Sequence, residues 1–201
     1  MRKQARRKEV FTENRAIVYF RWMETIQTER LLLTKYTPER YHEMFTTMTE
    51  GELKKHLGET GNHCYAVMRK RWEQGLRTHN RSFTFFQIRE RATDRIIGGG
   101  GFHNWATDMF RAELGYALEN EFDKRKGYMT EALSVIVPYG FNVMQLHRME
   151  AFIGPNNIPS QKLVEKWGFK KEGHLREHFL RGEVYEDSLV FGLLRGEWGN
   201  G

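Results

Sequence analysis

"AELGYALENEFDKRKGYMTEAL", residues 112 to 133, compresses a strand, a charged loop and the start of a helix into one stretch. Ala112 to Glu119 reads as a strand. Lys124, Arg125 and Lys126 then precede Gly127, after which Tyr128, Met129 and Thr130 open an apolar helical pattern. Amides at a helix start point outward without partners and attract anions, and glycine lets the backbone come close to a ligand. A solvated basic loop before an ordinary helix has the same composition. These residues alone leave both readings open.

Working outward, the expected elements alternate in a telling order. "ERLLLTKY" (29 to 36) reads as a first strand. A helix follows, with Thr37 as N-cap and Pro38 in its first position. Tyr65, Met68, Trp72 and Leu76 recur at helical spacing and predict a second helix over 62 to 78. Strands are expected at 82 to 88, 94 to 103 and 112 to 119, a helix over 127 to 146 with Pro138 inside it, and a strand at 148 to 153. A helix at 159 to 168 and a final strand at 184 to 194 complete the order. Consecutive hairpin strands followed by strand–helix–strand crossovers predict an α+β sheet, antiparallel in its first half and parallel across the 127 to 146 helix.

Composition narrows the function. The chain has 201 residues, 39% hydrophobic and 29% charged, as a globular protein of one domain would. Its longest uncharged stretch, Ala132 to Leu146, is shorter than the roughly 18 to 20 apolar residues of a membrane span. A single cysteine, Cys64, forms no internal disulfide and suits a reducing compartment, so a cytoplasmic location is expected. No Cys/His cluster has metal-site spacing, and no metal is expected. The net charge of +6 is unevenly spread: residues 1 to 22 carry +5 and the other 179 only +1. Basicity therefore belongs to an N-terminal extension, 1 to 22, and the expected domain is 23 to 198, which argues against nucleic acid as a partner.

Two phosphate motifs fail. The G-x-x-x-x-G-K-[ST] spacing is absent, and Gly98 to Gly101 leads into "FHNW" and not into a helix, so a bulge or close backbone approach is expected there. Three segments read together succeed: "AELGYALENEFDKRKGYMTEAL", "GPNNIPSQKLVEKWGFKKEGHLRE" and "GEVYEDSLVFGLL". In order and spacing, from about Glu29 to Trp198, the chain resembles the GNAT superfamily of acyl-CoA-dependent N-acetyltransferases. Its nearest resemblance is to the branch of ribosomal-protein N-terminal alanine/serine acetyltransferases.

The resemblance implies a GNAT fold: a mixed, mostly antiparallel seven-stranded sheet with helices on both faces and its fourth and fifth strands (112 to 119 and 148 to 153) splayed apart. It implies acetyl-CoA as co-substrate, with Lys124, Arg125, Lys126, Gly127, Tyr128 and Met129 in the pyrophosphate loop and Thr130 beside them. That loop departs from the family's Gln/Arg-x-x-Gly-x-Gly/Ala by Lys124 in first place, Arg125 where the branch commonly has glycine, and Met129 in last place. Pantetheine would bond the edge at Tyr116, Ala117 and Leu118 and be held by Asn157, with Ser160 near the thioester sulfur. Read without the resemblance, Asn156 to Ser160 is a turn and an N-cap. Relatives are often homodimers, and the acceptor is a protein N-terminus, as in ribosomal proteins, or a small amine.

Acetyl transfer needs a neutral amine, whereas an α-amine has a pKa of about 8 and lysine about 10.4, so a base must take a proton. Glu113, on the fourth strand, is the expected base; Glu177 and His178, in "LREHF", are alternatives. His103 and His147 are read as structural, and Trp105, Phe110 and Tyr116 as candidates for the acceptor pocket. Two other readings compete with the enzyme. One is a catalytically inactive CoA-binding sensor or interaction module, and the other is nucleic-acid binding through the basic extension.

Overall fold

Alternation between two covered faces is what makes the central strands. In Arg81–Glu90, Phe86 and Ile88 face one core while Phe83 and Phe85 face another. A computed structural model describes residues 25 to 61, 63 to 76 and 81 to 199. The expected extension at 1 to 22 lies outside the described residues.

Eight strands form one sheet among the described residues: β1 Thr25–Gln27, β2 Leu31–Tyr36, β3 Arg81–Glu90, β4 Arg95–Ala106, β5 Arg111–Leu118, β6 Arg148–Ile153, β7 Lys170–Arg181 and β8 Val184–Leu194. Their order is β1-β2-β3-β4-β5-β6-β8-β7. The six strands placed from the sequence are present, β7 is the seventh that the resemblance implies, and the short β1 adds an eighth at the edge. Every pairing is antiparallel except β5 with β6. That parallel pair is joined over one face by α4, Tyr128–Asn142.

α4 is apolar on most sides because it lies against the sheet. Leu133, Ile136, Val137 and Phe141 are fully buried, each worth about 1.5–3 kcal/mol of burial. Gly140 sets the spacing, since a Cβ there would fall 2.5 Å from both Phe102 Cζ and Met149 Cε. Pro138 sits inside α4 without ending it. The helix stops at Asn142, four residues before the expected end. On the other face lie α1 Pro38–Thr47, α2 Glu50–Leu57 and α3 Tyr65–Glu73, around Tyr36, Tyr41, Met44 and Met68. α1 begins as its sequence predicts, with the Thr37 side chain accepting from the Arg40 amide. The sequence reading gave no element to α2, although Thr49 and Glu52 form a reciprocal capping box there. α5, Ile158–Lys166, packs beside β6. No helix among the described residues is long and apolar enough to cross a membrane.

Candidate functional site

β5 is held on both sides for only part of its length. β4 pairs with it from Arg111 to Leu118, whereas β6 pairs only at Arg111, Ala112 and Glu113. From Leu114 onward the two parallel strands part, so the edge containing Tyr116, Ala117 and Leu118 has no strand partner on that side. Across the gap, the Tyr116 hydroxyl donates to the Ser160 carbonyl at 3.3 Å, which brings two of the expected site residues together. Burial pushes the Tyr116 phenol up to about 12, so it stays a donor. Asn157 caps α5, its side-chain oxygen accepting from the Ser160 amide at 3.3 Å. The turn-and-cap reading of this segment is therefore met, and one face of Asn157 is already engaged.

Beyond Leu118 the chain makes a short 3-10 turn, Glu121–Asp123, and enters α4 through Gly127. Gly127 is left-handed, at φ +80°, and no side chain caps the helix. The first-turn amides are thus open. Two clamps fix the loop. Asp123, fully buried, takes both terminal nitrogens of Arg95 at 2.7 Å, and Arg95, helped by the charge of Lys126, outweighs the upward push of burial and holds its carboxyl below the usual range. Arg30 donates to Glu131 at 2.7 Å and to the Lys126 carbonyl at 2.9 Å while lying over the Tyr128 ring.

The three cations divide unequally. Lys124 pairs with Glu121, and Lys126 lies 3.8 Å from Asp123, whereas Arg125 is exposed with no carboxylate partner among the described residues. Tyr128 and Met129 are buried side chains, so only their backbone amides face outward toward a ligand. Thr130 is half-buried on the same turn.

On the sheet face away from α4 lies a cavity of about 1050 Å³. Its apolar wall includes Met68, Leu76, Phe83, Phe85 and Phe179, and glycines 98, 99, 101 and 115 form its floor. A methyl group added at Gly98 would lie 2.3 Å from the Ala117 carbonyl oxygen, and one at Gly99 would lie 2.1 Å from the Phe85 ring. The expected close backbone approach is met here, while register shifts flank it between Ser82 and Thr84 and between Ile88 and Arg89. His63 stacks flat on Phe85, and burial, then the charges of Arg71 and His103, lower its pKa to about 3. Of the expected pocket aromatics only Tyr116 borders this cavity. Trp105 packs against the α4-side core, past an irregularity in the β4–β5 ladder between His103 and Ala106, and Phe110 is exposed in the turn that precedes β5.

Glu113 stands directly opposite His103 in the β4–β5 register. His103 Nε2 is 2.8 Å from one carboxylate oxygen, and the Asn104 amide donates to the other at 2.9 Å. Burial alone would raise the Glu113 pKa, but His103, Asn104 and the charge of His178 outweigh it and the net shift is downward. His178, on β7, is 3.0 Å from the buried Ser188 hydroxyl through Nδ1 and lies against the Phe152 ring. Glu177 is exposed at an irregularity in the β7–β8 ladder, where its amide donates to Asp187. His103, read from the sequence as structural, is thus the partner of Glu113. Period-two alternation could have put both on one face; only the ladder register could put them opposite each other.

Comparison with known proteins agrees with this architecture. The acetyltransferase (GNAT) domain family matches residues 30 to 170. The uncharacterized N-acetyltransferase p20 of Bacillus licheniformis is 32% identical over 179 residues, covering 88% of this chain and 99% of its own. The ribosomal protein uS5-alanine N-acetyltransferase of Escherichia coli is 29% identical over 143 residues, 68% of this chain and 72% of its own. Among solved structures, a GNAT-family acetyltransferase from Bacillus anthracis superimposes with a TM-score of 0.59 at 24% identity, over 86% of this chain and 99% of that one. The dodecameric spermidine N-acetyltransferase of Vibrio cholerae gives 0.61 at 17% identity, over 86% and 98%.

Proposed function

The chain belongs to the GNAT acetyltransferase family and is an acetyltransferase enzyme, and on that footing we propose that it moves acetyl from acetyl-CoA to a primary amine by direct attack. One observation carries the reading: β5 loses its β6 partner after Glu113 and leads from that free edge to the uncapped start of α4. An extended pantetheine arm needs the first, and a pyrophosphate the second. In this reading residues 23 to 198 are the catalytic domain and 1 to 22 an extension. Use of acetyl-CoA and a lone cysteine both suit the cytoplasm.

The co-substrate brings an activated thioester; the chain positions it and moves protons. The amides of Tyr128, Met129 and Thr130 hold the pyrophosphate, with Arg125 as the unpaired charge beside them. Backbone groups of Tyr116, Ala117 and Leu118 hold the arm, and the Asn157 side chain bonds it from the other wall. An amide on the β5 edge faces the oxygen where charge develops as the amine attacks. The Ser160 hydroxyl returns a proton to the departing thiolate, and a base on the cavity face takes one from the amine.

The acceptor side favours a monoamine with an apolar body. Glu119 is the one carboxylate lining the cavity among the described residues, set against Arg71 and a wall of aromatic and aliphatic side chains. A polyamine would leave further cations without partners. Calorimetric titration of acetyl-CoA tests the reading, first into the wild-type protein and then into Gly127→Val. Gly127 adopts φ +80°, which valine adopts only under strain, so the variant should lose at least tenfold in affinity. Absence of wild-type binding at millimolar acetyl-CoA would overturn the proposal.

A further inference from the structure

We propose that His103, not Glu113, takes the proton from the acceptor amine, and that Glu113 and Asn104 are the residues that position it. The inference rests on the acetyl-transfer reading above and assigns its base. Both oxygens of Glu113 are occupied, one by His103 and one by Asn104, and its side chain is only 19% exposed against 49% for His103. His103 borders the cavity and Glu113 does not. Of the two, only the imidazole has an edge turned toward an incoming amine.

The tautomer follows from the ion pair. An ionised carboxylate only accepts hydrogen bonds, so Nε2 carries the hydrogen at the 2.8 Å contact and Nδ1 keeps its lone pair. The downward net shift of Glu113 agrees with an acceptor that stays ionised. The Nδ1–Cε1 edge lies over Gly115, where an added Cβ would sit 2.8 Å from Cε1 and 3.2 Å from Nδ1. Gly115 immediately follows the point where β5 leaves β6, so the lone pair stands at the mouth of the splay.

The charged and titratable groups around the ring are Glu113 on β5, His63 before α3, Arg71 on α3, and His178 on β7, which acts on Glu113. Arg81, on β3, holds the Asn104 carbonyl at 3.0 Å. In the step, the N–C bond forms as an amine proton passes to Nδ1. The C–S bond then breaks and the thiolate is protonated. The ring gives its proton to solvent.

The test uses the full chain with acetyl-CoA and phenethylamine, reading thiol release across pH. His103→Ala should lower kcat/KM by about 10²–10³ and abolish its acid limb, while acetyl-CoA affinity holds. Free imidazole should restore part of the rate. His103→Gln provides a second variant should alanine impair folding. Glu113→Gln should cost about tenfold in kcat/KM and admit the Nδ1–H tautomer of His103, because the anion that fixes the hydrogen on Nε2 is gone. Nitrogen-15 NMR should show the His103 ring protonated at Nε2 in the resting enzyme, with no acceptor present. A wild-type profile in His103→Ala beside a collapsed Glu113→Gln would overturn the assignment, as would an Nδ1–H tautomer. Failure of the wild type to transfer acetyl at all would instead overturn the reading on which it rests.

Discussion

The loop from Lys124 to Gly127 and the cavity beside β5 serve the same strand but are built in opposite ways. The loop is made of groups: open amides, a left-handed glycine and cations. The cavity is made of omissions, with four glycines leaving room that Phe85 and His103 turn into walls. A site made of donors leaves a local motif in the sequence. A site made of space depends on which strands lie side by side.

The sharpest way to break that contrast is Gly98→Ala. Its Cβ would meet the Ala117 carbonyl at 2.3 Å, and backbone cannot turn aside as a side chain can. A loss of about 3 kcal/mol, or roughly 8 °C in Tm, is expected by thermal unfolding, with weakened acetyl-CoA binding because the displaced atoms belong to the β5 edge. An unchanged Tm would mean that the floor does not depend on absent side chains. Next in size is Asp123→Ala beneath the loop. Removing the fully buried partner of Arg95 should cost about 2 kcal/mol, less than a wholly buried pair because solvent reaches the arginine.

A pH titration of stability separates the two regions. His63, in the cavity, has its pKa lowered to about 3 from 6.5, so the folded protein binds fewer protons than the unfolded chain between those values. Stability should therefore begin to fall as pH drops below about 6.5. Asp123 and Glu131, at the loop, have depressed pKa values relative to 3.8 and 4.5; their contribution is complete above those values and is lost only as pH falls through the lower folded ones. His63→Phe should remove the first slope and keep the second, read as Tm from about pH 2 to pH 7. The smallest effect distinguishes the cations. Arg125→Ala should weaken acetyl-CoA about fivefold, and Lys124→Ala less than twofold, because Lys124 already answers Glu121. Equal losses would show that ion pairing does not divide the loop's charge.

How much was legible follows from the range of the interactions involved. β6 and β8 have the limits the sequence predicts, because β6 is a clean alternation and β8 an apolar run, each closed by turn residues. α2 is equally local and has no counterpart in the sequence reading, although its Thr49–Glu52 box is a four-residue signature. β1 is three residues long, too short for any periodicity. The phosphate loop was read in its outline, but two of its cations proved to be paired. One of those pairs depends on Asp123, fixed by Arg95 from a strand 28 residues earlier.

By itself the sequence determined most of the order of elements, the glycine at the start of α4, and the concentration of positive charge in residues 1 to 22. Each of these is written in neighbouring residues or in plain counts of charge. Tertiary structure decided the rest. Parting of β5 from β6 after Glu113 made the free edge, and the β4–β5 register set His103 against Glu113 over Gly115. The physical reason is that alternation tells a side chain which face to take, while only hydrogen-bonded register between distant strands tells it which neighbour to meet.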